Sequence, residues 1–208
     1  MEQSVRRIVR LDIVDERIEF LAKNGVFILG GGVDLSTFYG VLTGVLPILY
    51  SENKKPIWVI LNSPGGDIFQ GLAVYDLLKA VAQQGVSVNV VGIGMVASMA
   101  VCIMQAATRR YAFPNTQFTI HQASLAGDGD RQEVNEMVEA AKELGRLNEI
   151  VLNIIAERSG MGMEELMRIS KKTDYSIGAY HAKEFGPHGL IDEVVTTFPF
   201  PILFPING

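Results

Sequence analysis

The sequence predicts an α/β fold built on a mostly parallel sheet, and three observations carry the prediction. Short apolar runs rich in β-branched residues alternate with segments of helical period through residues 26–123. The first three runs close on glycine, or on Ser63-Pro64-Gly65-Gly66, the punctuation of a strand passing into a helix. Apolar residues make up 48% of 208 positions and charged ones 20%, enough to fill one core and too apolar for a disordered chain. Repeated βα units imply parallel strands joined by right-handed crossovers.

Taken in order, residues 26–29 read as a strand closed by Gly30-Gly31-Gly32. Residues 34–50 read as an apolar helix with Asp34 as N-cap and Pro47 kinking or ending it. Residues 57–61, with Ile57, Val59 and Ile60 β-branched, are a buried strand. A helix then runs over 67–83 and stops at Gly85. The next strand is 86–91 and the next helix 97–107, followed by short strands at 111–113 and 118–120 around the turn Pro114-Asn115.

The second half changes character. Residues 130–158 form one long amphipathic helix, with Val134, Met137, Val138, Ala141, Leu144, Ile150, Val151 and Ile154 at three- and four-residue spacing. Asp130 and Glu133 make a capping-box-like start. Such a helix is on the order of 40 Å long, more than a domain of this size covers, so it projects and needs another subunit to bury its stripe. The tail 198–205 carries Pro199, Pro201 and Pro205 and is neither regular helix nor central strand, but a docked or frayed extension.

Charge and composition remove several classes of partner. A net charge of −5 and a pI near 5.2 offer no general attraction to phosphate backbones, which excludes nucleic acid. Residues 80–108 hold no charge, yet Gln83, Gln84, Asn89 and Ser98 interrupt them, and the dense part, 90–104, is short of the roughly 20 residues a span requires. No membrane segment is expected, and the charged N-terminus predicts no signal peptide. A lone cysteine, Cys102, forms no intramolecular disulfide and points to a reducing, cytoplasmic setting. No metal or cofactor motif is present, and no lysine follows the 63–66 glycines to make a phosphate loop.

Three features carry chemistry. Ser98, in Gly94-Met95-Val96-Ala97-Ser98-Met99-Ala100, lies between a buried strand and a helix, where such turns expose a nucleophile; it also reads as an N-cap or a packing serine. Gly65 and Gly66 present bare backbone N–H groups at the carboxyl edge of the sheet, or simply make a tight turn. His121 ends the strand 118–120 on that same edge, whereas His181 and His188 flank a short helix and a glycine turn at the surface. Asp174 sits in the polar break Lys171-Lys172-Thr173-Asp174, which by itself reads equally well as a helix cap.

These residues resemble the proteolytic subunits of the caseinolytic (Clp) protease family. The likeness runs over about 26–195 through Asn62-Ser63-Pro64-Gly65-Gly66, Gly94 to Met99, Pro114-Asn115, Ile120-His121-Gln122, Gly145-Arg146-Leu147-Asn148, Glu184-Phe185-Gly186 and Gly189-Leu190-Ile191-Asp192. The resemblance implies a crotonase-like spiral of ββα units with a projecting handle helix. In that single domain 1–25 is an N-terminal segment, 26–123 and 159–195 the head, 124–158 the handle and 196–208 a tail. It implies a serine endopeptidase with Ser98 as nucleophile, His121 as base and Asp174 as the third member of the triad. The oxyanion would be held by the N–H groups of Gly66 and Met99, and peptide by Gly65, Gln122, Ser124 and Leu125. The partners it implies are unfolded polypeptide, a homo-oligomer of two stacked heptameric rings, and an AAA+ ATPase unfoldase. Three departures stand out: residues 1–18 lack the family's apolar pore segment, the proline after His-Gln is Ala123, and the arginine before the catalytic aspartate is Thr173. The competing readings are a crotonase-type acyl-CoA enzyme, which would need Glu or Asp acid–base groups, a Ser-Lys signal-peptide-degrading relative, and a silent scaffold, which would have lost a triad residue.

Overall fold

In a computed structural model, which describes residues 17–123, 133–171 and 174–200, strands β1 (Val26–Gly30), β2 (Ile57–Ser63) and β3 (Val88–Ala97) lie parallel and side by side. Beyond β3 the sheet forks. Residues 89–92 of β3 pair with β4 (Arg109–Ala112), and residues 95–97 pair with β5 (Gln117–Ile120). One arm continues from β4 to the short β7 (Glu193–Val194); the other continues from β5 to β6 (Tyr175–Gly178), the one antiparallel pairing among the described strands.

The helices are α1 (Leu35–Leu49), α2 (Ile68–Gln83), α3 (Met99–Met104), α4 (Val134–Ser159), α5 (Met163–Ser170) and α6 (Ala179–Lys183). Asp34 caps α1, accepting from the Thr37 N–H at 2.9 Å, and Asp67 caps α2, accepting from Gln70 at 2.8 Å. Pro47 does not stop α1, which runs on to Leu49. The alternate inward residues Ile57, Val59 and Leu61 of β2 meet Val45, Leu78 and Val101 from the helices, all fully buried, and form the main core. The opposite sheet face is closed by the chain's own tail. Phe200 packs on Trp58 at 4.8 Å between ring centres, and Phe198 meets Phe113 edge-on at 5.2 Å, so the tail is docked through residue 200. Residues 201–208 lie outside the described residues.

Several boundaries differ from the sequence reading. Strand 86–91 becomes Val88–Ala97, because the glycines at 92 and 94 continue the ladder between β2 and β5 instead of ending it. The following helix shortens to α3, since Ala97 is still strand and Ala107 lies beyond its end. The long helix starts at Val134 with Glu133 as N-cap, its box closed by Glu136 rather than by Asp130, which lies outside the described residues. Gly160 ends it in the left-handed conformation at φ 72°. From Val134 to Arg146 its residues are exposed or half-buried, and Val134, Met137 and Val138 stand 76%, 55% and 46% exposed. From Leu147 onward it docks through Leu147, Leu152 and Ile155, so the first half leaves the head by about 20 Å. Among the described residues no helix is long and apolar enough to cross a membrane.

Arg110 fastens the β4 arm. Only 1% exposed, it donates to the Asp192 carboxylate at 2.6 Å and to the Gln105 amide oxygen and the Gly189 and His188 carbonyls at 2.7 to 2.9 Å. Burial disfavours the Asp192 anion. The Arg110 hydrogen bonds and charge outweigh that cost and hold the carboxyl below its ordinary range.

Candidate active site

Ser98 stands at the joint of β3 and α3. Its N–H donates to the Thr119 carbonyl of β5 at 2.8 Å, continuing the sheet, while its carbonyl accepts from Val101 at 3.0 Å, opening the helix. One residue must therefore turn from ladder to helix, which it does at φ 53°, ψ −124°. Among the described residues it is the one non-glycine with positive φ. That conformation costs about 1–3 kcal/mol and persists only where its surroundings enforce it. The hydroxyl caps nothing in α3 and is left for other work.

The glycines at 65 and 66 explain how the turn is enforced. A Cβ on Gly65, at φ +91°, would lie 2.7 Å from the Ser98 Cβ, 2.8 Å from the Ala97 oxygen and 2.9 Å from the Met99 nitrogen. The bare backbone thus backs directly onto the serine. Val33 anchors this loop, its N–H donating to the Gly65 carbonyl and its carbonyl accepting from Asp67, both at 2.8 Å. That bridge leaves the Gly66 N–H outside it. The Met99 N–H, first in α3, has no acceptor within the helix. Asn62 was not singled out as a site residue; its side-chain oxygen accepts from the Met95 N–H at 3.1 Å beside the β2–β3 register shift and holds the approach to the turn. A buried-strand pattern gives no hint of such a bond.

His121 leaves β5 one residue past its last pair. In the antiparallel register Ile120 opposes Tyr175, so the next step along the ribbon brings His121 and Asp174 abreast. Asp174 is exposed there. The partner of the His121 Nδ1 is the Gln122 carbonyl at 2.7 Å. Because a carbonyl only accepts, Nδ1 carries the proton; in the neutral ring the lone pair is then on Nε2, which is the tautomer a general base requires.

Ser98 and His121 line one cavity of about 30 Å³, together with Met99, Ile120, Ala123 and Asn148. It has room for a water or two. Larger grooves lie elsewhere: the one of about 550 Å³ runs along the free edge of β1 and has no titratable side chain in its lining. Of the remaining predicted residues, Gly65 is buried behind Ser98 and Gln122 supplies the carbonyl on His121, while Ser124 and Leu125 lie outside the described residues. His181 and His188 are exposed and away from this cavity. Cys102 is buried in α3, and burial pushes its thiol far up, which leaves it inert.

The Gly65 N–H donates to the Ser63 hydroxyl at 3.1 Å, so of the two glycines only Gly66 has its N–H left over. An α/β sheet presenting a strained strand-to-helix serine, a glycine N–H and a histidine protonated at Nδ1 lining the same cavity defines a serine hydrolase. A family model described as Clp protease matches residues 11–198. A relative from Bdellovibrio bacteriovorus, named an ATP-dependent Clp protease proteolytic subunit, is 34% identical over 177 residues, covering 84% of this chain and 80% of its own. The chain therefore belongs to the Clp protease family, with the serine-type peptidase activity and crotonase-like fold of that family.

Proposed function

We propose that Ser98, His121 and Asp174 form the triad of a peptidase that hydrolyses unfolded polypeptide inside a chamber made by copies of this chain. The observation that carries the reading is Ser98 held at φ 53° and lining one cavity with His121. The Ser98 Oγ attacks a peptide carbonyl as the His121 Nε2 takes its proton. The proton then passes to the amine as the C–N bond breaks, and water hydrolyses the acyl-enzyme by the same relay. The Gly66 and Met99 N–H groups receive the oxyanion. Asp174, opposite His121 across the ribbon, would take over the Nδ1–H from the Gln122 carbonyl and stabilise the imidazolium, which a neutral carbonyl does less well.

Assembly belongs to the same reading. The apolar residues of the emerging half of α4 are covered when helices of facing rings interlock, giving two stacked rings of seven. Gln122, Ser124 and Leu125 bind the peptide main chain, whereas Gly65, its N–H on the Ser63 hydroxyl and its carbonyl on Val33, supports Ser98 from behind instead of binding peptide; an AAA+ ATPase delivers folded substrates, and the compartment is the cytoplasm. Labelling with a fluorophosphonate tests the core of the proposal. The native protein should label at Ser98, and Ser98→Ala should lose both label and peptide hydrolysis by on the order of 10³-fold or more with the fold intact. Hydrolysis retained by that variant overturns it.

A further inference from the structure

The half-buried Asn148 lies on α4, where the helix passes from projecting to docked, and it lines the cavity of Ser98 and His121. Its Oδ1 accepts from the backbone N–H of Ala123 at 3.0 Å. Ala123 follows Gln122, whose carbonyl fixes the His121 tautomer at 2.7 Å. The segment 121–123 belongs to no strand or helix, so its backbone groups have no ladder to hold them. Two hydrogen bonds in series therefore run from the long helix to the imidazole. The orientation of the amide is set by the donor it meets, because an N–H can be satisfied only by the oxygen.

We infer that Asn148 is a positioning residue: by holding the Ala123 N–H it fixes the main chain of 121–123, and with it the place from which the His121 ring reaches Ser98 and Asp174. The inference rests on the serine peptidase reading above. It gives α4 a second duty, since whatever seats the helix also sets the base.

The test uses the full chain in its assembled form, with a short fluorogenic peptide and a fluorophosphonate probe. Asn148→Ala should lower kcat about tenfold with KM within about twofold, and slow probe labelling to match, because loss of one positioning hydrogen bond is worth about one decade. Asn148→Asp, which keeps an oxygen at the acceptor position, should recover most of the rate. Asn153→Ala, an exposed site on the same helix, controls for helix propensity and should change nothing. A rise in KM with labelling unchanged would mean that Asn148 sets the peptide register, not the base, and would overturn the inference. So would a wild-type rate in Asn148→Ala. Should that variant not assemble, Asn148→Asp decides: assembled and fast upholds the inference, assembled and slow overturns it. Retained hydrolysis in Ser98→Ala would instead fell the peptidase reading, so the two failures are distinguishable.

Discussion

Gly65→Ala probes the geometry of the site without touching a reacting group. The added methyl would sit 2.7 Å from the Ser98 Cβ, and ordinary contact begins near 3.4 Å, so the two backbones must part by about 0.7 Å. Neither side yields easily. The Gly65 carbonyl is tied to Val33 at 2.8 Å, Ser98 is tied to Thr119 at 2.8 Å, and the other two atoms facing the methyl are backbone. The alanine must also adopt φ +91°, a left-handed conformation costing about 1–2 kcal/mol. With the overlap added, the variant should lose about 2–4 kcal/mol of stability, read as a fall in Tm. Displacement of a nucleophile by nearly an ångström costs on the order of 10²-fold in rate, so kcat/KM and fluorophosphonate labelling should drop together by about that factor. A folded Gly65→Ala protein that labels at the native rate would refute the packing argument.

His121→Ala should be inactive, and His181→Ala and His188→Ala active, by initial rates of peptide hydrolysis. Asp192 is held below the ordinary carboxyl range when folded, so its contribution is full above about pH 4 and is lost as pH falls through the folded value. Asp192→Asn should lose about 3–5 kcal/mol at pH 7 by leaving Arg110 buried without its counter-charge, with a flatter acid limb in thermal melts. Light scattering should find fourteen chains of 22.8 kDa, about 319 kDa, and the stack should survive a rise in salt from about 0.05 to 0.5 M because its contact is apolar. Rings of about 160 kDa separating as salt rises would show that ion pairs dominate instead.

The parts legible in the sequence were those decided locally. Asp34 caps its helix through a bond to the residue three positions on, and β2 is apolar on both faces, so period and capping chemistry suffice. The parts that escaped depend on partners far along the chain. Glycines 92 and 94 read as a strand end, yet β3 continues because β5, some twenty residues later, gives it a second neighbour. Strand β6 has no strong apolar signal, and its register against β5 is what brings Asp174 abreast of His121. Ser98 and His121 were legible from residue type and position relative to strand ends. The Gln122 carbonyl on the imidazole and the Asn148 bond to Ala123 were not, because main-chain acceptors and a bond across 25 positions leave no local pattern.

The fork in the sheet has a mechanical consequence. Ser98 is rooted in the main sheet through β3, whereas His121 and Asp174 both ride on the β5–β6 ribbon, which joins that sheet over the three pairs from Met95 to Ala97. In the proposed triad, base and carboxylate therefore share the ribbon whose Thr119 carbonyl also holds the Ser98 N–H. Any tilt of the ribbon would strain that bond and shift both proposed partners relative to Ser98 together, so one short stretch of ladder would govern the proposed relay.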